Sequence, residues 1–423
     1  MTTAAEAHGL IAASAVLLLA NGQTTERTVS EVERLAGALG CRVAVLPRWG
    51  EIVLQVTGAA GPSRAAGTSQ DIIAVAPTGV DMGKVADTVR TIDALCEGRI
   101  DAAAAQAGLD RIARHPPVSL ARFVVLAAAG AAALAVIFGA AHLVSLALIA
   151  ASAGAGAALR RWLAGRSHNP FVQPFCAALL AGGVGALAAR LQLSSVLHLV
   201  AVCPCMVLVP GPHILNGTID LVRARIALGA SRLLFAGLIV VAICIGLLAG
   251  LYLGGVSLPV SGPSSPVPLA YDVLAAGVAV AAYGTFFDMP WRTLPIPIAI
   301  GMAAHALRWM AISLAGAGAA TGALIACLAV GTIVTPVADR LRLPFAAFAF
   351  ASVVSLIPGV FLFRMAGGLV ALASLGEQAP PALLTAAIAD GSTAALIVAA
   401  MTFGLIVPKM CFEHLRHALH RSR

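Results

Sequence analysis

The chain has 423 residues, of which 60% are hydrophobic and 11% charged, with a mean hydropathy of +0.94. Soluble domains carry about 25% charged residues, so a wholly water-soluble protein is excluded. The formal net charge of +8 does not point to nucleic acid, because the arginines are spread over short loops rather than clustered with aromatics.

The charge is uneven. Residues 1–118 hold much of it, whereas long apolar runs dominate from 119 onward. That shift sets a soluble domain, 1–118, before a membrane part. Within it, 5–21, containing LIAASAVLLLA, reads as a helix. A secretory signal has a positive leading segment, and none precedes this run. Asn21-Gly22, followed by Thr24-Thr25-Glu26-Arg27, reads as a turn into a second helix, 24–39. Three strand-like runs follow, RVAVLP (42–47), EIVLQVTG (51–58) and DIIAVAP (71–77), each rich in β-branched residues. Helices at 81–97 and 101–114 complete a small α+β domain in the order ααβββαα.

A membrane-crossing helix needs about 20 mostly apolar residues. Ten stretches qualify: 122–139, 142–160, 171–190, 195–211, 233–253, 269–287, 293–311, 316–336, 344–363 and 385–407. Cytoplasmic loops carry an excess of Lys and Arg. With the N-terminal domain in the cytoplasm, the inner flanks hold fourteen: Arg122, Arg160, Arg161, Arg166, Arg223, Arg225, Arg232, Arg292, Arg340, Arg342, Lys409, Arg416, Arg421 and Arg423. The outer side holds three, Arg190, Arg308 and Arg364. This bias favours ten spans, both termini inside, an uncharged outer loop at 254–268 and a basic cytoplasmic tail at 409–423.

An internal repeat divides the spans. AALRRW (157–162) pairs with HALRWM (305–310), ALAARLQLSS (186–195) with PVADRLRLP (336–344), and MVLVPGPHILNG (206–217) with VSLIPGVFLFRMAGG (354–368). The expected units are 119–253 and 269–408. Five spans is an odd number, so the second unit is expected upside down relative to the first. Inverted repeats with broken helices near the midplane are an architecture of secondary transporters.

Each unit carries a proline–glycine pair at the end of its fourth span, Pro210-Gly211 and Pro358-Gly359. Proline removes a backbone donor, and an unsatisfied group in hydrocarbon costs several kcal/mol. One reading places both breaks around a central solute site, with His213, Asn216 and Asp220 on one helix face to hold a small polar molecule and pass a proton. The other reading ends span four at the inner surface and leaves those three in a cytoplasmic loop. Ionisable groups within spans are functional candidates. Asp390 has no obvious local partner, and His305 shares a face with Arg308. Asp220 is the first choice for proton coupling and Asp390 the second.

No GxSxG, HExxH or Walker loop is present, so no enzyme, nucleotide site or cofactor is expected. Eight cysteines show no zinc spacing, and Cys203-Pro-Cys205 reads as helix packing rather than a metal or redox site. Transport energy would then come from a gradient, with protons the natural ion.

LVPGPHILNGTIDLVRARIALGASRL (208–233) resembles the signature of the threonine/serine exporter family. NGQTTERTVSEVERLAGALG (21–40) and VAPTGVDMGKVADTVRTI (75–92) are similar to its cytoplasmic domain, and SHNPFVQPF with AVGTIVTPVADRLRLP to its membrane halves. The resemblance implies proton-driven export of threonine, serine or similar small solutes across a bacterial inner membrane. FFDMPWRTLP (286–295) is at least as close to relatives split into two proteins and associated with export of the dicarboxylate succinate; the chain resembles a fusion of that form. Pro212-His213 departs from the small or apolar residue frequent after the Pro-Gly pair. A passive channel and a homo-oligomer stay open at this level.

Overall fold

The computed structural model describes residues 4–58, 68–193, 197–257 and 267–421. The expected outer loop falls mostly outside these residues.

The N-terminal part follows the expected order. Helices α1 (Ala4–Ala20) and α2 (Thr25–Ala38) precede β1 (Cys41–Arg48), β2 (Gly50–Gly58) and β3 (Thr68–Val75), then α3 (Met82–Cys96) and α4 (Ala102–Arg114). The strands form an antiparallel meander in the order β1-β2-β3, with Val45 opposite Leu54 and Ile52 opposite Ile73. The period-two alternation of a strand turns Ile52, Leu54 and Val56 onto one face. They bury there against Ile11, Leu18 and Leu19 of α1, Val32 and Leu35 of α2, and Val85 and Val89 of α3. The apolar run of α1 is thus core packing. Asp81 and Asp101 cap α3 and α4 by accepting from the amides of Lys84 and Ala104, satisfying donors a helix start leaves free.

The membrane part comprises α5 (Leu120–Ile137), α6 (Leu143–Ala164), α7 (Val172–Arg190), α8 (Leu197–Met206), α9 (Gly211–Val222) and α10 (Ile226–Leu253). Then come α11 (Leu269–Phe286), α12 (Pro295–Ser313), α13 (Ala319–Leu341), α14 (Phe345–Val353), α15 (Gly359–Leu375) and α16 (Pro381–Arg421). Among the described residues, nine helices are long and apolar enough to cross a membrane, or ten if the bent pair α8–α9 is one span.

Packing repeats between the two sets of six. Pairs α5·α6, α6·α7, α6·α8, α7·α8 and α7·α10 have counterparts α11·α12, α12·α13, α12·α14, α13·α14 and α13·α16. Between the sets, α5 packs on α11, α9 on α14, and α8 on α15. Both α7·α10 and α13·α16 are close approaches through small residues, as membrane helices favour. A Cβ at Gly250 would run into the Leu179 carbonyl, and one at Gly331 would lie 2.8 Å from the Gly404 carbonyl.

Three boundaries differ from expectation. Span nine is not one helix: α14 ends at Val353, a 3-10 turn covers Val354–Leu356, and α15 starts at Gly359. Nine residues of α14 rise only about 14 Å at about 1.5 Å each, too little to cross. Helix α10 starts at Ile226, so Arg232 lies buried within it instead of in a loop. Helix α16 continues through Lys409 to Arg421, so the basic tail is its extension.

Candidate functional site

Both proline–glycine pairs interrupt helices, and the interruptions meet. Helices α8 and α9 are bent by 56° at residues 207–210. Pro210 cannot donate to the Met206 carbonyl one turn earlier; the Tyr283 hydroxyl of α11 donates to it at 2.5 Å, alongside the Val209 amide at 3.4 Å. Gly211 abuts the Phe350 ring of α14, which occupies the space a Cβ would fill. Reciprocally, a Cβ on Gly359 would lie 2.6 Å from Cγ of Met206 on α8. Each glycine therefore admits a side chain from the half-helix that precedes the other unit's break. A cavity of about 60 Å³ lies at this crossing, lined by Gly211, Leu215, Phe350, Pro358, Leu362 and Met401 among others. Its wall is apolar.

The polar residues after the first break do not join this cavity. They face the N-terminal domain. His213 lies against the Thr78 backbone and meets the Phe235 ring edge-on at 5.2 Å; Trp49, from the β1–β2 turn, packs on the same ring. Asn216 donates from Nδ2 to the Gly22 carbonyl at 3.1 Å. Asp220 accepts from the Thr25 hydroxyl at 3.0 Å and pairs with Arg232 at 3.1 Å, its side chain only 1% exposed. Arg225 stands 3.6 Å from its other oxygen. Thus α9 carries an apolar face toward the other unit and a polar face toward the soluble domain.

More charges tie that domain to the second unit. Arg223 pairs with both Glu26 of α2 and Glu413 of α16, and Arg342 with Asp93 of α3 at 3.0 Å. Between them lies a polar cavity of about 140 Å³, walled by Glu26, Arg27, Asp339, Arg342, Lys409 and Glu413. At another seam, the Met82 amide donates to the Phe287 carbonyl at 2.9 Å, beside Asp81 and Asp288. Burial pushes the Asp81 carboxyl up to about 6, and the Asp288 carboxylate adds to the shift. Burial likewise raises Asp288, although the Val118 amide donates to it at 2.7 Å.

Two further candidates acquire partners that the sequence did not reveal. Asp390 pairs with Arg364 of α15 at 3.1 Å; sequence separation hid a pair made across two helices. His305 is buried, and its Nδ1 lies 2.8 Å from Oδ2 of Asp272 on α11. Asp272 is not among the residues expected from sequence, although it is a lone acid in an apolar run, the same signal that points to Asp390. His305 and Asp272 lie near the second break, apart from the Asp220 cluster, which sits at the first. Among the described residues, no group of three His, Cys, Asp or Glu side chains is placed to hold a metal ion.

Residues 10–254 match the family model of threonine/serine exporters, ThrE. Residues 272–411 match a second model, described as "Threonine/Serine exporter, ThrE". Together they cover both membrane units and most of the N-terminal domain. No curated protein and no solved structure matches the chain.

Proposed function

Since the chain belongs to the threonine/serine exporter family, a family of multi-pass membrane transporters rather than enzymes, we propose that it moves serine, threonine or a similar small polar solute out of the bacterial cytoplasm against its gradient, driven by protons entering. The observation that carries this reading is the reciprocal seating of the two breaks, Gly211 on Phe350 and Gly359 by Met206. In our reading the two units lie inverted about this crossing, as broken-helix transporters do. The small apolar cavity there is the closed form of a route that opens when the units tilt apart. Half-helix ends freed at Pro210 and Pro358 then offer amide and carbonyl groups to the solute.

The polar cavity beneath the N-terminal domain is the cytoplasmic approach. Its three acids and three bases (Glu26, Asp339, Glu413; Arg27, Arg342, Lys409) suit a zwitterion, which carries both signs. Asp220 and Asn216 act here as the latch that seats the domain over the inner mouth. This gives Asp220 a docking role in place of the coupling role expected from sequence.

Uptake of labelled serine, threonine and succinate into inside-out vesicles tests the proposal. Accumulation of the first two above equilibrium, collapsed by an uncoupler, is the expected result. Preferential accumulation of succinate would move the chain to the dicarboxylate branch. Equilibration without accumulation would make it a passive channel.

A further inference from the structure

We propose that Asp272 and His305 are the pair that takes up and releases the driving proton. The proposal rests on the exporter reading above and assigns the coupling step within it.

The pair is buried among apolar helices. Asp272 is 4% exposed and His305 0%. Intramembrane ionisable groups are costly to keep and mark ion pathways. The partners come from different helices, α11 and α12, and both helices pack on the segment of the second break. The Ser355 backbone lies beside the imidazole, while Nε2 of His305 and the Ser355 hydroxyl have no hydrogen-bond partner among the described residues. One ring nitrogen is thus committed to Asp272, and the other faces the backbone that must move when the break opens.

The charged surroundings are few. On α12, Arg308 lies one turn beyond His305 and within electrostatic reach of Asp272. Helix α13 presents Gly322 to the Arg308 stem, the turn after α14 presents Ser355, and the Ser352 hydroxyl donates to the Phe348 carbonyl within α14. Neutral imidazole beside carboxylate leaves the pair at −1. One added proton brings it to zero, and Arg308 is then left without a net counter-charge. Protonation therefore changes the charge felt at the break: one O–H or N–H bond forms when the pair takes up the proton and breaks when the proton leaves.

Position gives the direction. Asp272 sits in the first turn of α11, and Trp309 of α12 donates from Nε1 to the Val267 carbonyl just before it, at 3.0 Å. On the charge bias of the loops this end faces outward, so an entering proton meets the pair first. Among its described residues the first unit has no such pair. The offset that relates Gly211 to Gly359 and Arg160 to Arg308 places Val124 and Ala157 at the corresponding points. A His–Asp pair at this position in one unit and not at its counterpart suits uptake from one side only.

The experiment uses the full chain in proteoliposomes with labelled serine and threonine. Asp272→Asn and His305→Gln are expected to lose accumulation driven by a pH gradient at least tenfold. Substrate exchange at equal pH on both sides should stay within about twofold of wild type. Accumulation at the wild-type level in both variants would overturn the proposal. So would loss of exchange together with accumulation, which would make the pair part of the fold or of the substrate route. Wild-type protein that neither exchanges nor accumulates these solutes would refute the exporter reading itself and the pair's role with it.

Discussion

Replacing Asp220 by alanine should undo the seam between the N-terminal domain and the membrane units. The carboxylate is 1% exposed and lies 3.1 Å from the Arg232 guanidinium, itself 2% exposed. Removing one partner of a buried ion pair leaves the other charge uncompensated, at a cost of about 3–5 kcal/mol. The Thr25 hydroxyl, which donates to Asp220 at 3.0 Å, loses its acceptor as well. Replacing both partners with apolar residues of similar size is often near neutral. Asp220→Leu combined with Arg232→Met should therefore recover most of the stability that Asp220→Ala loses. Unfolding of purified protein in detergent measures the stability, and hydrogen exchange in α2 reports undocking. A single variant as stable as wild type would refute the reasoning. So would a double variant no better than the single one. Efflux separates docking from coupling: a stable, transporting double variant removes Asp220 from the proton step, whereas a stable but inactive one returns it there.

Other perturbations follow from the same contacts. Gly211→Ala should cost about 1–3 kcal/mol by overpacking, because a Cβ there meets the buried Phe350 ring; Phe350→Leu should relieve it in the same unfolding assay. Tyr283→Phe should lower stability by about 0.5–1.5 kcal/mol, since it leaves the buried Met206 carbonyl with only the longer hydrogen bond from the Val209 amide, at 3.4 Å. The Asp81 carboxyl is raised from 3.8 to about 6 in the folded protein. Its neutral form is the favoured one, so its contribution to stability is complete below pH 3.8 and is lost as pH rises through about 6. Unfolding followed between pH 5 and 7 should show stability falling as pH rises, and Asp81→Asn, which keeps a capping oxygen, should flatten that slope.

The sequence made the secondary structure of the soluble part legible because each strand and helix carries its own period and its own turn. Ile52, Leu54 and Val56 announce a strand face unaided. Span lengths were equally plain where a helix crosses the membrane uninterrupted. At span nine, hydropathy alone merged α14 with α15, because apolar residues surround Pro358 on both sides. The polar face of α9 stayed open between two readings for a different reason. A helix face with histidine, asparagine and aspartate reads the same whether it lines a solute route or receives another domain, and the contacts to Gly22, Thr25 and Thr78 come only with the fold. The Asp272–His305 and Arg364–Asp390 pairs required contacts between helices, which periodicity does not encode.

The central claim is that the crossing of the two breaks opens during transport. A single cysteine at Val209 or Ile357, introduced after replacement of the eight native cysteines, reports it by its rate of alkylation. Both positions line the closed cavity. Alkylation should be slow at rest, faster during substrate-driven turnover, and slowed again by saturating non-transported analogue. A rate unchanged by substrate at both positions would contradict the account.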